Sequence, residues 1–248
     1  MVSSPSLLFR QALASLPRGA PLSTRLLQDR GLSAKQVGRL AESGWLRRLG
    51  RGVYLLPGDE LNRDASLAWL VTQVPGLHVA GKTALGWRGV RHNLPFKERL
   101  VLWGDVPTML PTWFTDTFPA TYQATHLFDS TLPIAVGLAP LPGGRADLLV
   151  SAPERAVLEL LSDVGKGQGL EEARHLVEGA RSLRMDVLDT LLAHLKRIKV
   201  ARLAHSLADE LGLPWADLAR RHSRRVGGGQ RWVSTTKTGE RLNLKRPS

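Results

Sequence analysis

Apolar residues recur at helical spacing in three short segments at the start of the chain. The segments cover residues 7–16, 23–29 and 33–44, and a period near 3.6 residues is typical of amphipathic helices. Ser33 and Gln36 have the spacing of a Ser-x-x-Gln capping box, in which each side chain accepts the other residue's backbone N–H. The pattern therefore predicts three helices before residue 45.

Start and stop residues bound the second of these helices. Ser23 is a favoured N-cap residue, and Gly31 follows the helix where a left-handed residue closes it. Two apolar-rich runs then cover residues 45–49 and 53–56, on either side of a Gly-x-Gly turn centred on Arg51. Such a pair predicts a β-hairpin. Three helices and a hairpin in this order are typical of a winged helix-turn-helix, so we predict such a domain over residues 1–59.

The rest of the chain, residues 60–248, mixes strand-length and helical patterns and predicts a second domain. The overall prediction is an α+β protein, with an N-terminal winged helix-turn-helix domain and a C-terminal mixed α/β domain rich in helices. Predicted helices cover residues 61–74 and 153–161, with three more between 170 and 211. Predicted strands cover residues 99–103, 120–124, 134–138 and 146–150, and a hairpin over 230–245 turns near Thr238-Gly239.

Composition excludes several classes of protein. The 248 residues are 43% hydrophobic, which is enough for a packed core and argues against general disorder. The chain has no cysteine, so it has no disulfides, thiolate nucleophiles or cysteine-bound metal clusters. No apolar run reaches the roughly 18 residues that cross a bilayer, and the first residues lack a secretory n-region. We expect a cytoplasmic protein.

Positive charge is concentrated at the two ends of the chain. The formal net charge is +12. Residues 1–60 hold nine Lys and Arg against four acids, residues 61–180 hold ten against twelve, and residues 181–248 hold fifteen against six. Such an excess indicates either plain solubility or a polyanionic partner such as nucleic acid, and the position of the charge decides between them.

The third predicted helix has the division of faces that a DNA recognition helix needs. Val37, Leu40 and Ala41 would face the core, while polar residues lie opposite. An arginine can bind guanine bidentately, a glutamine can bind adenine, and a lysine suits phosphate. The hairpin would form a wing along the DNA backbone. The candidate DNA-binding residues on these two elements are Ser33, Lys35, Gln36, Arg39, Arg47, Arg48 and Arg51.

Residues 22–58 resemble the N-terminal winged helix of AbiEi-type antitoxins. The most specific part is the small helix-turn-helix followed directly by Arg51-Gly52-Val53-Tyr54. The resemblance continues more loosely through Ala80–Val90 and resumes at Ser151–Leu160, which is similar to the start of the family's C-terminal helical part. It covers most of the chain and is thin between residues 100 and 145.

The resemblance implies a function beyond what the residue pattern gives. AbiEi-type proteins are the antitoxin and autorepressor halves of type IV toxin–antitoxin modules. By resemblance, the N-terminal domain would bind inverted repeats of double-stranded DNA in its own promoter. The C-terminal part would counter a nucleotidyltransferase-like toxin encoded beside it. The family offers no catalytic motif to transfer, so no enzyme activity, cofactor or metal is expected.

Two other functions stay open at this point, a ligand-sensing winged-helix regulator and an enzyme acting on DNA or nucleotides. Gly76–Thr83 matches the P-loop pattern G-x-x-x-x-G-K-[ST], although its leucine, histidine and valine suit the tight turns of a phosphate cradle poorly. Asp147, Glu154 and Glu159 offer carboxylates to a nuclease, without displaying the convergent ligands that metal-assisted cleavage needs. The seven histidines show no paired metal-ligand spacing.

A second basic cluster lies near the C-terminus. The last 29 residues carry nine Lys and Arg and a single acid, Glu240. The cluster is as consistent with a solvated basic tail as with a second polyanion contact, which would add affinity without sequence information. Its candidate residues are Arg220, Arg221, Arg224, Arg225 and Arg231.

Overall fold

The computed structural model describes residues 14–90, 99–225, 231–235 and 241–245. The chain forms two compact units. The first comprises the chain up to Gln73 together with Met109–Pro119, and the second comprises Val74–Thr108 together with the chain from Ala120 onward. The predicted boundary between residues 59 and 60 falls inside the first unit. The chain therefore passes between the units three times.

Helices and short strands alternate along the described chain, which confirms the predicted α+β class. The helices are α1 (Thr24–Asp29), α2 (Ala34–Glu42), α3 (Arg63–Gln73), α4 (Gly81–Trp87), α5 (Thr112–Thr117), α6 (Pro153–Asp163), α7 (Leu170–Glu178), α8 (Met185–Ala193), α9 (Ile198–Glu210) and α10 (Ala216–Arg225). The strands are β1 (Leu22–Ser23), β2 (Arg47–Gly50), β3 (Val53–Leu55), β4 (His78–Val79), β5 (Leu100–Gly104), β6 (Ala120–Ala124), β7 (Leu138–Ala139), β8 (Val150–Ser151), β9 (Arg231–Thr235) and β10 (Arg241–Lys245).

The predicted caps fix the ends of α1 and α2. The Ser23 hydroxyl accepts the backbone N–H of Leu26 at 3.1 Å. Gly31 has φ +85°, and its N–H and that of Leu32 close the end of α1 by bonding back to carbonyls within the helix. The capping box predicted at the start of α2 is present. These local bonds hold α1 and α2 in a helix-turn-helix.

The core of the first unit lies beneath these two helices and a three-stranded antiparallel sheet. The sheet order is β1-β3-β2, so β3 is central and β2 is an edge strand. Val37 and Leu40 are buried and Ala41 is partly buried against them, as the sequence predicts. The buried members of this core are Leu16, Leu22, Leu27, Leu32, Val37, Leu40, Leu46, Tyr54 and Leu56.

The second unit is built on a mixed sheet in the order β6-β5-β4-β8-β7. Its two inner pairs run differently, since β4 is antiparallel to β5 but parallel to β8. Val79, Leu102 and Val150 have no exposed surface at the centre of this sheet. Helices α4 and α6 pack together, as do α9 and α10. The C-terminal hairpin, predicted over 230–245, is observed as β9 paired with β10.

Several predicted elements differ from the structure. Most of residues 134–138 form turns, because Pro133 accepts a turn hydrogen bond and Gly137 has φ +73°; Ile134 is 72% exposed. Of the strand predicted over residues 146–150, only residue 150 is in a strand, as the start of β8, and residues 146–149 form turns or irregular structure. Helices α4, α5 and α10 were not predicted. The helix predicted over 7–16 and the turn at Thr238-Gly239 lie largely or wholly outside the described residues.

Within the described residues, no helix is both long and apolar enough to cross a bilayer.

Candidate nucleic-acid interface

The outer face of α2 presents the residues predicted to contact DNA. Ser33, Lys35, Gln36 and Arg39 are all exposed, while Val37 on the opposite face is 1% exposed. Lys35 and Arg39 lie one helical turn apart, so their cationic groups project from the same side of the helix. The division of α2 into an apolar inner face and a cationic outer face is thus as predicted.

Two of these residues also hold the start of α2 together. The Gln36 Oε1 accepts the Ser33 backbone N–H at 2.8 Å, and the Ser33 hydroxyl accepts the Gln36 N–H at 3.3 Å. A bidentate contact to adenine uses both the oxygen and the amide nitrogen of a glutamine. Because the Gln36 oxygen is already engaged, reading adenine would compete with the cap. Arg39 is therefore the stronger candidate for a base contact.

The wing carries three exposed arginines around a tight turn. Arg47 and Arg48 lie on the edge strand β2, and Arg51 lies at the turn before β3. Gly52 has φ +71°, a left-handed conformation that the short turn needs and that glycine adopts without strain. The Thr24 N–H bonds to the Gly52 carbonyl at 2.9 Å. This bond ties the tip of the wing to the start of α1.

The cations of α2 and the wing keep their charge available. Among the described residues, none of these five cations forms an ion pair: this holds for Lys35 and Arg39 on α2 and for the three wing arginines. Arg47 donates to the Asp59 carbonyl at 3.3 Å and Arg48 donates to the Gly50 carbonyl at 3.4 Å. Both bonds are long and go to neutral acceptors. A polyanion would meet these cations without first breaking a carboxylate contact.

A carboxylate that sequence reasoning missed joins the segment after the wing to the segment before β1. Asp59 accepts the Gly19 N–H at 2.7 Å and forms an ion pair with Arg18. Burial opposes ionisation of Asp59, but the Gly19 N–H and Arg18 outweigh burial and hold its pKa below the usual range. The local sequence does not indicate these contacts, because Asp59 is about forty residues from both Arg18 and Gly19. Trp45, between α2 and β2, is 56% exposed.

The second basic cluster has a different organisation. Arg220 lies 3.3 Å from Asp209 and 3.5 Å from Asp217. Arg225 donates to the carbonyls of Leu192 and Ala193 at the end of α8. Much of this charge is therefore used inside the protein. Arg221 and Arg224 are exposed on α10, and the Arg231 side chain lies outside the described part of the structure.

Two family models together match nearly the whole chain. Residues 6–96 match the model described as "Transcriptional regulator, AbiEi antitoxin N-terminal domain". Residues 97–245 match "Transcriptional regulator, AbiEi antitoxin, Type IV TA system". The chain belongs to the AbiEi antitoxin family. This family is one of transcriptional regulators and antitoxins rather than of enzymes, in agreement with the resemblance seen in the sequence.

A solved structure shares the fold of this AbiEi family member. It is the crystal structure of the RV2827C protein from Mycobacterium tuberculosis, with a TM-score of 0.60 and 16% sequence identity. The match covers 90% of this chain and 82% of that one. At this identity the likeness establishes the fold alone. No curated protein sequence matches the chain.

The P-loop-like motif of this AbiEi family member is not a phosphate cradle. Gly76–Thr83 runs through the buried strand β4 directly into α4 and forms no wrapping loop. The Lys82 Nζ lies 3.1 Å from a carboxylate oxygen of Glu172. The residues that match the P-loop pattern therefore lie in and just before β4 and in the first turn of α4. The nucleotide-binding alternative loses its structural basis.

A buried carboxylate takes the position at the start of α4 where an anion would bind. The Glu159 Oε2 accepts the Gly81 N–H at 3.0 Å and the Ser151 hydroxyl at 2.8 Å, and Oε1 faces His78 at 3.0 Å and Arg155 at 2.9 Å. Full burial opposes its ionisation, but His78 and Arg155 outweigh burial and hold the pKa of Glu159 below its usual value. The protein supplies its own anion here.

The carboxylates considered for a nuclease have separate partners. Asp147 pairs with Arg145 at 2.7 Å, and Glu154 pairs with Arg184 at 3.0 Å. Glu159 is buried in the contacts given above. In the described chain, no three His, Asp or Glu side chains are grouped so as to hold a metal ion. The three acids that the nuclease alternative requires therefore do not converge.

Proposed function

We propose that this AbiEi family member is an autorepressor that binds inverted repeats in its own promoter through α2 and the wing. The observation that carries the proposal is the set of exposed cations on these two elements, none of which is paired with a carboxylate in the described chain. A promoter is a polyanion, and such cations supply both phosphate and base contacts. The protein would act in the cytoplasm and without catalytic activity of its own.

Each candidate residue has a role that its position favours. Arg39 would bind a guanine in the major groove, and Lys35 would contact a phosphate nearby. Arg47, Arg48 and Arg51 would follow the backbone on the wing side, with little effect on sequence choice. Ser33 and Gln36 would mainly hold the N-terminus of α2, whose free N–H groups favour a phosphate.

Promoter binding is tested by comparing two DNA fragments of equal length. One carries the region upstream of the gene, and the other carries the same bases in scrambled order. We expect tighter binding to the promoter and a steep fall of both affinities with salt, because the cations release counterions from DNA. Equal affinity for the two fragments at every salt concentration would refute the autorepressor proposal.

The antitoxin activity would reside in the C-terminal part and act against a nucleotidyltransferase-like toxin encoded next to this gene. The support is the family, whose members are described as antitoxins of type IV toxin–antitoxin systems. The test is co-expression with the neighbouring gene. The wild type and the Arg39→Ala/Arg48→Ala variant should rescue growth equally, because only promoter binding uses these residues. Failure of the wild type to rescue would exclude the antitoxin activity.

The second basic cluster would add contacts to DNA phosphates rather than read bases. Arg221 and Arg224 are exposed on one side of α10, and the strands that follow carry further basic residues in sequence. Arg220, Arg224 and Arg225 would contribute less than Arg221, because each already interacts with other groups of the protein. Arg231 is included in the candidate surface because of its position in the sequence alone.

A further inference from the structure

The segment Met109–Pro119 connects two neighbouring strands of one unit but belongs to the other. It lies in sequence between β5 and β6, which pair in parallel in the sheet of the second unit. Parallel neighbours need a crossover connection, usually with a helix packed on their own sheet. Here the crossover helix is α5, and it packs within the first unit. Contacts within the first unit should therefore explain why α5 packs there.

Aromatic contacts anchor α5 in the first unit. The Trp113 ring meets the Trp69 ring of α3 edge to face, with centroids 5.4 Å apart and planes at 70°. Phe114 has no exposed surface and contacts Trp113 at 6.0 Å between centroids. Edge-to-face aromatic pairs are favourable beyond the area that they bury. Trp113 thus packs against α3, and its chain neighbour Phe114 is fully buried.

Trp113 also lies against the wing. Its Cδ1 and Nε1 are 3.5 and 3.8 Å from the position that a Cβ would take on Gly50. Gly50 is the last residue of β2, and the pairing of β2 with β3 shifts by one residue between Arg48 and Gly50. Such irregularities bend a strand and redirect the side chains next to them. The indole therefore contacts the wing where the directions of Arg48 and Arg51 are set.

We infer that Trp113 is a positioning residue for the wing, because it supports Gly50 and so fixes where Arg48 and Arg51 meet the DNA backbone. The consequence for DNA rests on the proposed promoter binding, but the support of the wing does not. The inference makes a residue from the middle of the chain necessary for an element formed some sixty residues earlier. Nothing in the local sequence of the wing indicates this dependence.

The first experiment measures amide hydrogen exchange in the free, full-length protein. Trp113→Ala removes the support, and Gly50→Leu pushes the indole aside from the opposite direction. Both variants should speed exchange in β2 and β3 by about ten-fold or more, because loss of the contact lowers the free energy of local opening there, and a ten-fold change corresponds to about 1.4 kcal/mol. Exchange at Gly31 and Leu32, in the turn between α1 and α2, should not change.

Two conservative variants serve as controls for this experiment. Trp113→Phe keeps a ring against Gly50, and Gly50→Ala adds a methyl at an ordinary contact distance of 3.5 Å, so both should exchange like the wild type. If Trp113→Ala unfolds the unit, exchange rises everywhere and Gly50→Leu decides. Exchange that is unchanged in β2 and β3, or raised equally in the α1–α2 turn by Gly50→Leu, overturns the inference.

The second experiment measures binding to the promoter fragment and to scrambled DNA. Trp113→Ala should weaken both by about ten-fold and lower the salt dependence by about one phosphate contact. Adding Arg51→Ala should lower DNA affinity by a smaller factor in the Trp113→Ala background than in the wild type, because Trp113 acts by positioning Arg51. Full additivity, with an unchanged salt dependence, contradicts the role in DNA binding. A wild type without promoter preference refutes the proposed function, while the exchange data still decide the positioning.

Discussion

The molecule carries two basic regions that differ in what their cations contact. On α2 and the wing, lysine and arginine side chains are exposed and, in the described chain, not paired with carboxylates. On α10, Arg220 lies near Asp209, and Arg225 binds carbonyls at the end of α8. The second region lies in the segment with the larger charge excess, yet a larger share of its charge serves the protein itself. Partners, rather than net charge, identify the better candidate for binding nucleic acid.

The expected difference in DNA binding between the two regions follows from the energetics of exposed ions. An arginine already close to a carboxylate must give up that contact before it binds a phosphate, so its net gain is smaller. An arginine without such a partner gains the whole interaction and releases a counterion from the DNA. Substitutions in the two regions should therefore separate into effects on binding and effects on stability.

Arg39→Ala should have the largest single effect. Loss of a bidentate contact to guanine costs about 1–3 kcal/mol at one base pair and relaxes specificity there. The measurement is affinity for the promoter and for single-base variants of it. Stability should not fall, because Arg39 is exposed and alanine favours a helix. Lys196→Ala, which removes an exposed cation from the second unit, is the matched control.

The outcome that would contradict this prediction is equal weakening on all DNA sequences. Arg39 would then contact phosphate, and base reading would have to come from elsewhere on α2.

Arg48→Ala should weaken binding to the promoter and to scrambled DNA by the same factor. The wing arginine contacts the backbone, so its loss should lower the slope of log affinity against log salt by about one. The measurement is a salt titration with both fragments. A loss confined to the promoter would show that the wing reads bases, and the assignment of Arg48 would be wrong.

Arg225→Ala should affect stability rather than binding. Its guanidinium bonds to the last carbonyls of α8, where a cation also complements the helix dipole. We expect a loss of about 1 kcal/mol in unfolding free energy, seen as a lower denaturant midpoint. Arg221→Ala on the same helix is the matched control and should leave that midpoint unchanged. A large loss of DNA affinity in Arg225→Ala, without loss of stability, would reverse the contrast between the two regions.

Arg221→Ala should have a small effect on DNA binding and none on stability. If α10 contacts phosphates, its loss weakens promoter and scrambled fragments alike by a few-fold and lowers the salt slope by about 0.9. Thermal unfolding should not change, because the exposed side chain makes no ion pair among the described residues. An unchanged slope would remove α10 from the DNA-binding surface and leave its arginines with a structural role alone.

The helix-turn-helix and the wing could be predicted well from the sequence because their signals are local. Ser23, Gly31 and the Ser33–Gln36 pair act within a few residues of themselves, so their spacing alone specifies the ends of α1 and α2. The wing turn is equally local, since Gly52 needs only its own φ of +71°. The sequence predicts two roles for Gln36, the cap of α2 and a contact to adenine, and it does not show that the cap already engages the side-chain oxygen.

The second unit was harder to predict because its decisive contacts are distant in sequence. Gly76–Thr83 matches a nucleotide motif letter for letter, and only Glu159, some eighty residues later, explains what its glycine N–H binds. Strands of two residues such as β4, β7 and β8 are too short to leave a period in the sequence. Helix α10 follows Pro214, which the pattern treats as a stop.

The placement of α5 also has a consequence for the order in which the protein can mature. During synthesis the helix-turn-helix and the wing leave the ribosome early, but Trp113 and Phe114 arrive only after strand β5. N-terminal segments usually fold first as the chain emerges. Here the first unit is completed only once residue 119 is available, nearly halfway along the 248-residue chain. A nascent or truncated chain ending before α5 would carry the whole recognition helix and still lack the aromatic support of its wing.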